Sequence, residues 1–106
     1  MTNCTARDHP EYDGASYVID AARGHAARGE WQTVSDLVRE ALDRVRATEY
    51  PHLFDRLHRQ ATDVVTRLKR EDPDYERVRE RLEGMQETVE GMQELATDGR
   101  FMFPSG

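Results

Sequence analysis

The chain has 106 residues, of which 37% are hydrophobic and 34% charged, and a net charge of −6. That size allows one modest core, and that polarity suits amphipathic helices with solvated faces. No apolar run approaches the ~18 residues that span a bilayer, and the N-terminal MTNCTARDHPEYDG lacks the basic-then-apolar order of a signal peptide, so a cytoplasmic protein is expected. Its single cysteine, Cys4, has no partner for an internal disulfide. Charge is uneven: the stretch 39–70 is net basic, and the stretches on either side are net acidic.

Residues 1–12 are expected to be a flexible N-terminus. From Asp13, an N-cap aspartate, Ala15, Val18, Ile19, Ala22 and Ala26 recur at helical spacing. Gly29 is placed to end that helix, and Thr33 to cap the next one with Asp36 completing a capping box. Val34, Leu37, Val38, Ala41, Leu42 and Val45 then form an unbroken apolar stripe, so residues 13–47 read as a helical hairpin.

Thr48 to Pro51 forms the next break, with proline favourable in a first helical turn. Phe54, Leu57, Ala61, Val64 and Leu68 follow a heptad seam that ends in Lys69 and Arg70. Asp72 and Pro73 separate this helix from a last one, on which Tyr75, Val78, Leu82, Met85, Val89, Met92 and Ala96 keep strict heptad spacing. Residues 51–97 are a second, heptad-patterned hairpin, and residues 98–106 a short tail. The fold class is all-α: one domain of four amphipathic helices in a small bundle, with heptad seams on the last two.

The last helix contains EGMQETV followed by EGMQELA. This is a heptad repeat, and it sets Gly84 and Gly91 beside the seam. A glycine within a helix costs about 1 kcal/mol relative to alanine, so the pair marks either a tolerated weakness or a surface of close approach. Gly84, Met85, Gly91 and Met92 are the candidate partner-binding residues, although Met85 and Met92, at d positions, read first as core filler and only second as a plastic binding surface. Glu83, Glu87, Glu90, Glu94 and Asp98 have no basic residue among them, and a helix so charged gains from a basic partner.

No catalytic or metal-binding constellation stands out. His9, His25, His52 and His58 do not share a helical face at ligand spacing, and Cys4 with His9 is a single weak pair. Phosphate-binding loops, nucleophile elbows and HExxH are absent from the sequence. Arg46 and His52, in RATEYPH, resemble the arginine-to-histidine signature of HEPN ribonucleases, but Pro51 interrupts the helix on which both should lie. The expected protein is neither an enzyme nor a holder of cofactor or metal.

Residues 29–42, GEWQTVSDLVREAL, resemble the second half of ribbon-helix-helix proteins, particularly ParD-like antitoxins. Gly29, Trp31, Thr33, Ser35, Asp36, Leu37, Val38, Arg39, Glu40, Ala41 and Leu42 match that family's pattern in order, and the preceding YVIDAARGHAARG has the pattern of its first helix. The resemblance spans residues 15–46. It implies a cytoplasmic homodimer that binds DNA, with Thr33, Ser35 and Arg39 as the DNA-binding residues, and a basic toxin held by the acidic C-terminal helices. The family's N-terminal strand has no counterpart in HPEYDG; only TNCTAR, further upstream, alternates. A tetratricopeptide-like hairpin has the same glycine–tryptophan bend, and it implies a helical-bundle adaptor or small assembly subunit that binds protein only.

Overall fold

The computed structural model describes residues 10–70 and 73–102, with side chains as far as residue 96. Four helices follow in chain order: α1 (Pro10–Ala27), α2 (Trp31–Arg44), α3 (Pro51–Leu68) and α4 (Tyr75–Met102). α1 packs against α2 and α4, and α3 against α2 and α4, while the diagonal pairs make only slight contact. The contacts Asp13–Gln93 and Arg23–Gln86 run in opposite senses along α1 and α4, as do Gln60–Thr88 and Asp63–Arg81 along α3 and α4. With short turns between neighbours, the result is the expected all-α, up-and-down four-helix bundle.

Each helix buries the stripe that its sequence spacing defines. Ala15, Val18, Ile19, Ala22 and Ala26 of α1 meet Val34, Val38, Ala41 and Val45 of the α2 segment, Leu57, Ala61 and Val64 of α3, and Val78, Leu82, Met85, Val89 and Met92 of α4 in one core. The larger of these side chains each contribute on the order of 1.5–3 kcal/mol by leaving water. Leu37, Leu42, Phe54, Leu68, Tyr75 and Ala96 pack at its margin.

Three helix ends differ from expectation. α1 begins at Pro10, so Asp13 is an interior residue whose carboxylate accepts a hydrogen bond from Gln93 Nε2 at 2.7 Å. Proline presets helical φ at such a start, and the earlier start brings Tyr12 into the core, its hydroxyl 2.7 Å from Thr48 Oγ1. α2 begins at Trp31, with Glu30 in the N-cap position and no side-chain cap, so Thr33 lies inside the first turn. The reason is the turn itself. Gly29, at φ +75°, closes a Schellman motif in which Gly29 N–H donates to Ala26 O and Glu30 N–H to His25 O, each at 3.0 Å, delivering the chain straight into α2.

α4 continues to Met102 instead of stopping before Asp98. At its other end Asp74 caps α4, its carboxylate accepting from Glu76 N–H at 3.0 Å. Its 28 residues give a length of about 42 Å, against about 27 Å for an 18-residue helix such as α1. Since Asp13, in the first turn of α1, lies beside Gln93, the end of α4 runs past its neighbour. Cys4, His9 and the TNCTAR stretch lie outside the described residues, as does the tail from Phe103.

Candidate functional site

The repeated heptads of α4 have a structural use. Met85 and Met92 are fully buried, so both are taken up by the chain's own core and neither faces a partner. The glutamines that follow them both reach α1: Gln93 donates to Asp13, and Gln86 Nε2 donates to the Ser16 carbonyl at 3.3 Å while its Oε1 accepts from Arg23 at 3.0 Å. Arg23 also pairs with Glu83 at 3.3 Å, and Arg79 with the same carboxylate at 3.0 Å. One turn of the repeat therefore supplies a core residue and the next residue ties α1 to α4.

The two glycines separate. A Cβ on Gly84 would sit 3.3 Å from Gln60 Nε2 of α3, whereas one on Gly91 would meet nothing within 4 Å. Gly84 marks a close approach inside the chain. Gly91 lies on the outward acidic side of α4, with Glu87, Glu90 and Glu94 exposed around it. The four candidate partner-binding residues thus do not form one patch.

Nor do the three candidate DNA-binding residues. Ser35 is buried and Thr33 half-buried, leaving Arg39 exposed. The described residues contain no strand. Arg46 lies after α2 and pairs with Asp43 at 2.7 Å; His52 is exposed in the first turn of α3. No group of three or more histidines, cysteines or carboxylates suited to a metal occurs among the described residues.

Surface charge points elsewhere. Arg23, Arg28, Arg44, Arg46, Arg67, Arg77, Arg79 and Arg81 all have carboxylate partners. Arg39, Arg56, Arg59, Lys69 and Arg70 have none among the described residues, and all five belong to α2, to α3 or to the turn just after α3. On α4, Glu80, Glu87, Glu90 and Glu94 have no cation among the described residues. Across α2 and α3 the unpaired cations outnumber the unpaired carboxylates Asp36, Glu49 and Asp55, while on α4 the unpaired charge among the described residues is acidic.

Three depressions lie on these sides. The groove between α3 and α4, of about 310 Å³, is lined by Arg59, Gln60, Asp63, Glu80, Arg81 and Gly84, and its charges offset one another, Arg81 pairing with Asp63 at 2.9 Å. A cleft of about 200 Å³ at the α3–α4 turn holds Arg67, Arg70 and Arg77, of which Arg67 and Arg77 are paired.

The third groove, of about 290 Å³, runs between α2 and α3 and is of another character. Its floor is Ala61 with Leu42 and Val65, which are half-buried, and Thr62 and Thr66 line its wall. Arg39, His58 and Lys69 stand at its edge, and no carboxylate lines it. The sequence builds this groove by register. On α3, His58, Thr62, Val65 and Thr66 recur at helical steps along one side, with Lys69 at its C-cap; on α2, Arg39 and Leu42 form the facing edge. His58 is braced by Phe54 one turn earlier, their ring centroids 6.3 Å apart. Sequence reasoning named Arg39 but missed the groove, because Leu42 reads only as core and α3 reads only through its heptad seam.

Compared with protein-family models, with curated proteins and with solved structures, the chain shows no significant match. No described helix is long and apolar enough to cross a membrane.

Proposed function

We propose that this chain is a non-enzymatic binding module whose partner is another protein, in the manner of a helical-bundle adaptor or small assembly subunit working in the cytoplasm. One observation carries the reading: the α2–α3 side combines half-exposed Leu42 and Val65 with the unpaired cations Arg39 and Lys69. Protein recognition joins apolar area with a polar, charged rim in this way. The acidic side of α4 is the expected place for a basic partner, and exposed Leu95 lies there beside Glu94.

The ribbon-helix-helix resemblance supports a more specific second reading, an antitoxin-like homodimer that binds DNA and a basic protein. Its support is the α1–α2 hairpin closed by Gly29. Of Thr33, Ser35 and Arg39, however, only Arg39 is exposed, so the protein-binding reading has the better support.

The test combines two measurements. In a salt titration with random duplex DNA, with the solution mass recorded on the same sample, the protein-binding reading expects no salt-sensitive binding. A photoreactive amino acid placed in turn at Thr62, Asp20 and Glu87 should give protein adducts in cell extract that excess unlabelled chain suppresses. Salt-sensitive DNA binding by a dimer, with no adducts from any position, would transfer the reading to the antitoxin class.

A further inference from the structure

We infer that the α2–α3 groove receives an acidic amphipathic helix of the partner. The inference rests on the reading of the chain as a protein-binding module and says which surface and which chemistry that module uses. Three features of the groove lead to it.

The first is shape. Along α3 the groove extends from His58 to Lys69, which at the rise of an α-helix is about 17 Å. Apolar anchors at i, i+3 and i+7 of a docked helix span about 10 Å and fit within that length. At about 290 Å³ the groove lies at the small end of ligand pockets, so it suits a few side chains laid in a row better than a whole small molecule.

The second is the apolar floor. Leu42, Ala61 and Val65 are flanked by Thr62 and Thr66. The half-burial of Leu42 and Val65 means that a covering side chain removes further apolar surface from water.

The third is charge. Arg39 and Lys69 stand at the edge, on opposite helices, with no carboxylate partner among the described residues, and no acidic residue lines the groove. A helix with leucines on one face and glutamates flanking them meets both cations; one with flanking lysines is repelled. Nucleic acid would use the same cations but gains nothing from the floor. The adjoining unpaired cations Arg56 and Arg59, which do not line this groove, provide an internal control.

The probe is a fluorescein-labelled synthetic helix with leucines at i, i+3 and i+7 and flanking glutamates, followed by anisotropy; a second peptide carries lysines in place of the glutamates. The glutamate peptide should bind and the lysine peptide should bind at least tenfold more weakly. The double variant Arg39→Glu with Lys69→Glu should weaken binding about tenfold or more. Arg56→Glu with Arg59→Glu, an identical change in net charge, should alter it less than twofold. None of the four side chains has a carboxylate partner among the described residues, so circular dichroism should be unchanged. The inference is overturned by equal effects of the two double variants, by equal binding of the two peptides, by no binding of the glutamate peptide, or by its displacement by random duplex DNA at low concentration. If the peptide fails while Glu87 or Asp20 yields protein adducts and Thr62 does not, the groove is wrong and the binding-module reading stands. If neither peptide nor any position gives binding, both fall.

Discussion

Thr88 of α4 hydrogen-bonds Gln60 of α3 across the bundle: its buried hydroxyl lies 2.8 Å from Gln60 Oε1, with the Gly84 carbonyl a second acceptor at 3.2 Å. The glycine at position 84 belongs to the same arrangement, because the amide nitrogen of Gln60 lies 3.3 Å from where a Cβ would stand. A repeat that looks uniform in sequence therefore contains one position shaped by its neighbour. Replacing Thr88→Val should destabilise by about 1 kcal/mol, since Gln60 loses a partner while remaining within reach of water. Adding Gln60→Leu should recover most of that loss, because removing both partners leaves no orphan. Urea unfolding of the two single variants and the double variant measures this; additive losses would show that the residues act independently.

The glycines should respond differently from one another. Gly91→Ala meets open space and should stabilise by about 1 kcal/mol, or about 4–8 °C in Tm for a domain of this size. Gly84→Ala should gain distinctly less, because Gln60 must shift. Gly29→Ala should destabilise, since its φ of +75° places an added Cβ in the left-handed region. A thermal melt of each variant gives the order Gly91→Ala, Gly84→Ala, Gly29→Ala from most to least stable; equal shifts for the first two would deny Gly84 its special contact.

Leu57→Ala on α3 and Leu82→Ala on α4 should each cost about 2–5 kcal/mol, as both side chains are fully buried in the shared core. Against a total stability of roughly 5–15 kcal/mol, either loss is large. Because all four helices contribute to one core, both variants should lower the urea midpoint of the whole transition without changing its slope. A split transition in which α3 and α4 unfold apart from α1 and α2 would contradict a single cooperative unit.

The apolar periods were legible because burial in a helical bundle repeats every three or four residues: the stripes through Val34 and Val38, through Leu57 and Val64, and through Leu82 and Met92 all face the core. Helix ends were less legible. Asp13 and Thr33 are good caps by residue type, but Pro10 and the Gly29 turn start their helices earlier. Polar contacts between helices were not legible at all. Gln86 and Gln93 bind α1 because of a rotation and register between α1 and α4 that no local spacing records. The α2–α3 groove was hidden for the same reason, since Arg39 and Lys69 become its two edges only when the helices are set side by side.

At the α1–α2 turn, Glu30 accepts hydrogen bonds from His25 and Arg28. The His25 contact is the chief cause that holds the Glu30 carboxyl below its ordinary value of 4.5, with Arg28 acting in the same direction. A depressed folded-state value means that the carboxylate is favoured on folding. Its stabilising contribution is therefore present above the ordinary value and lost as pH falls through the lower folded one. The urea midpoint of the protein should exceed that of Glu30→Gln at neutral pH by a small margin, because the group is exposed and screened, and added salt should narrow the margin. Acidification through the depressed folded value should narrow it as well, as protonation of Glu30 removes the charge that the variant lacks. A margin that acid leaves unchanged would mean that Glu30 acts in the Schellman turn through shape and not through charge.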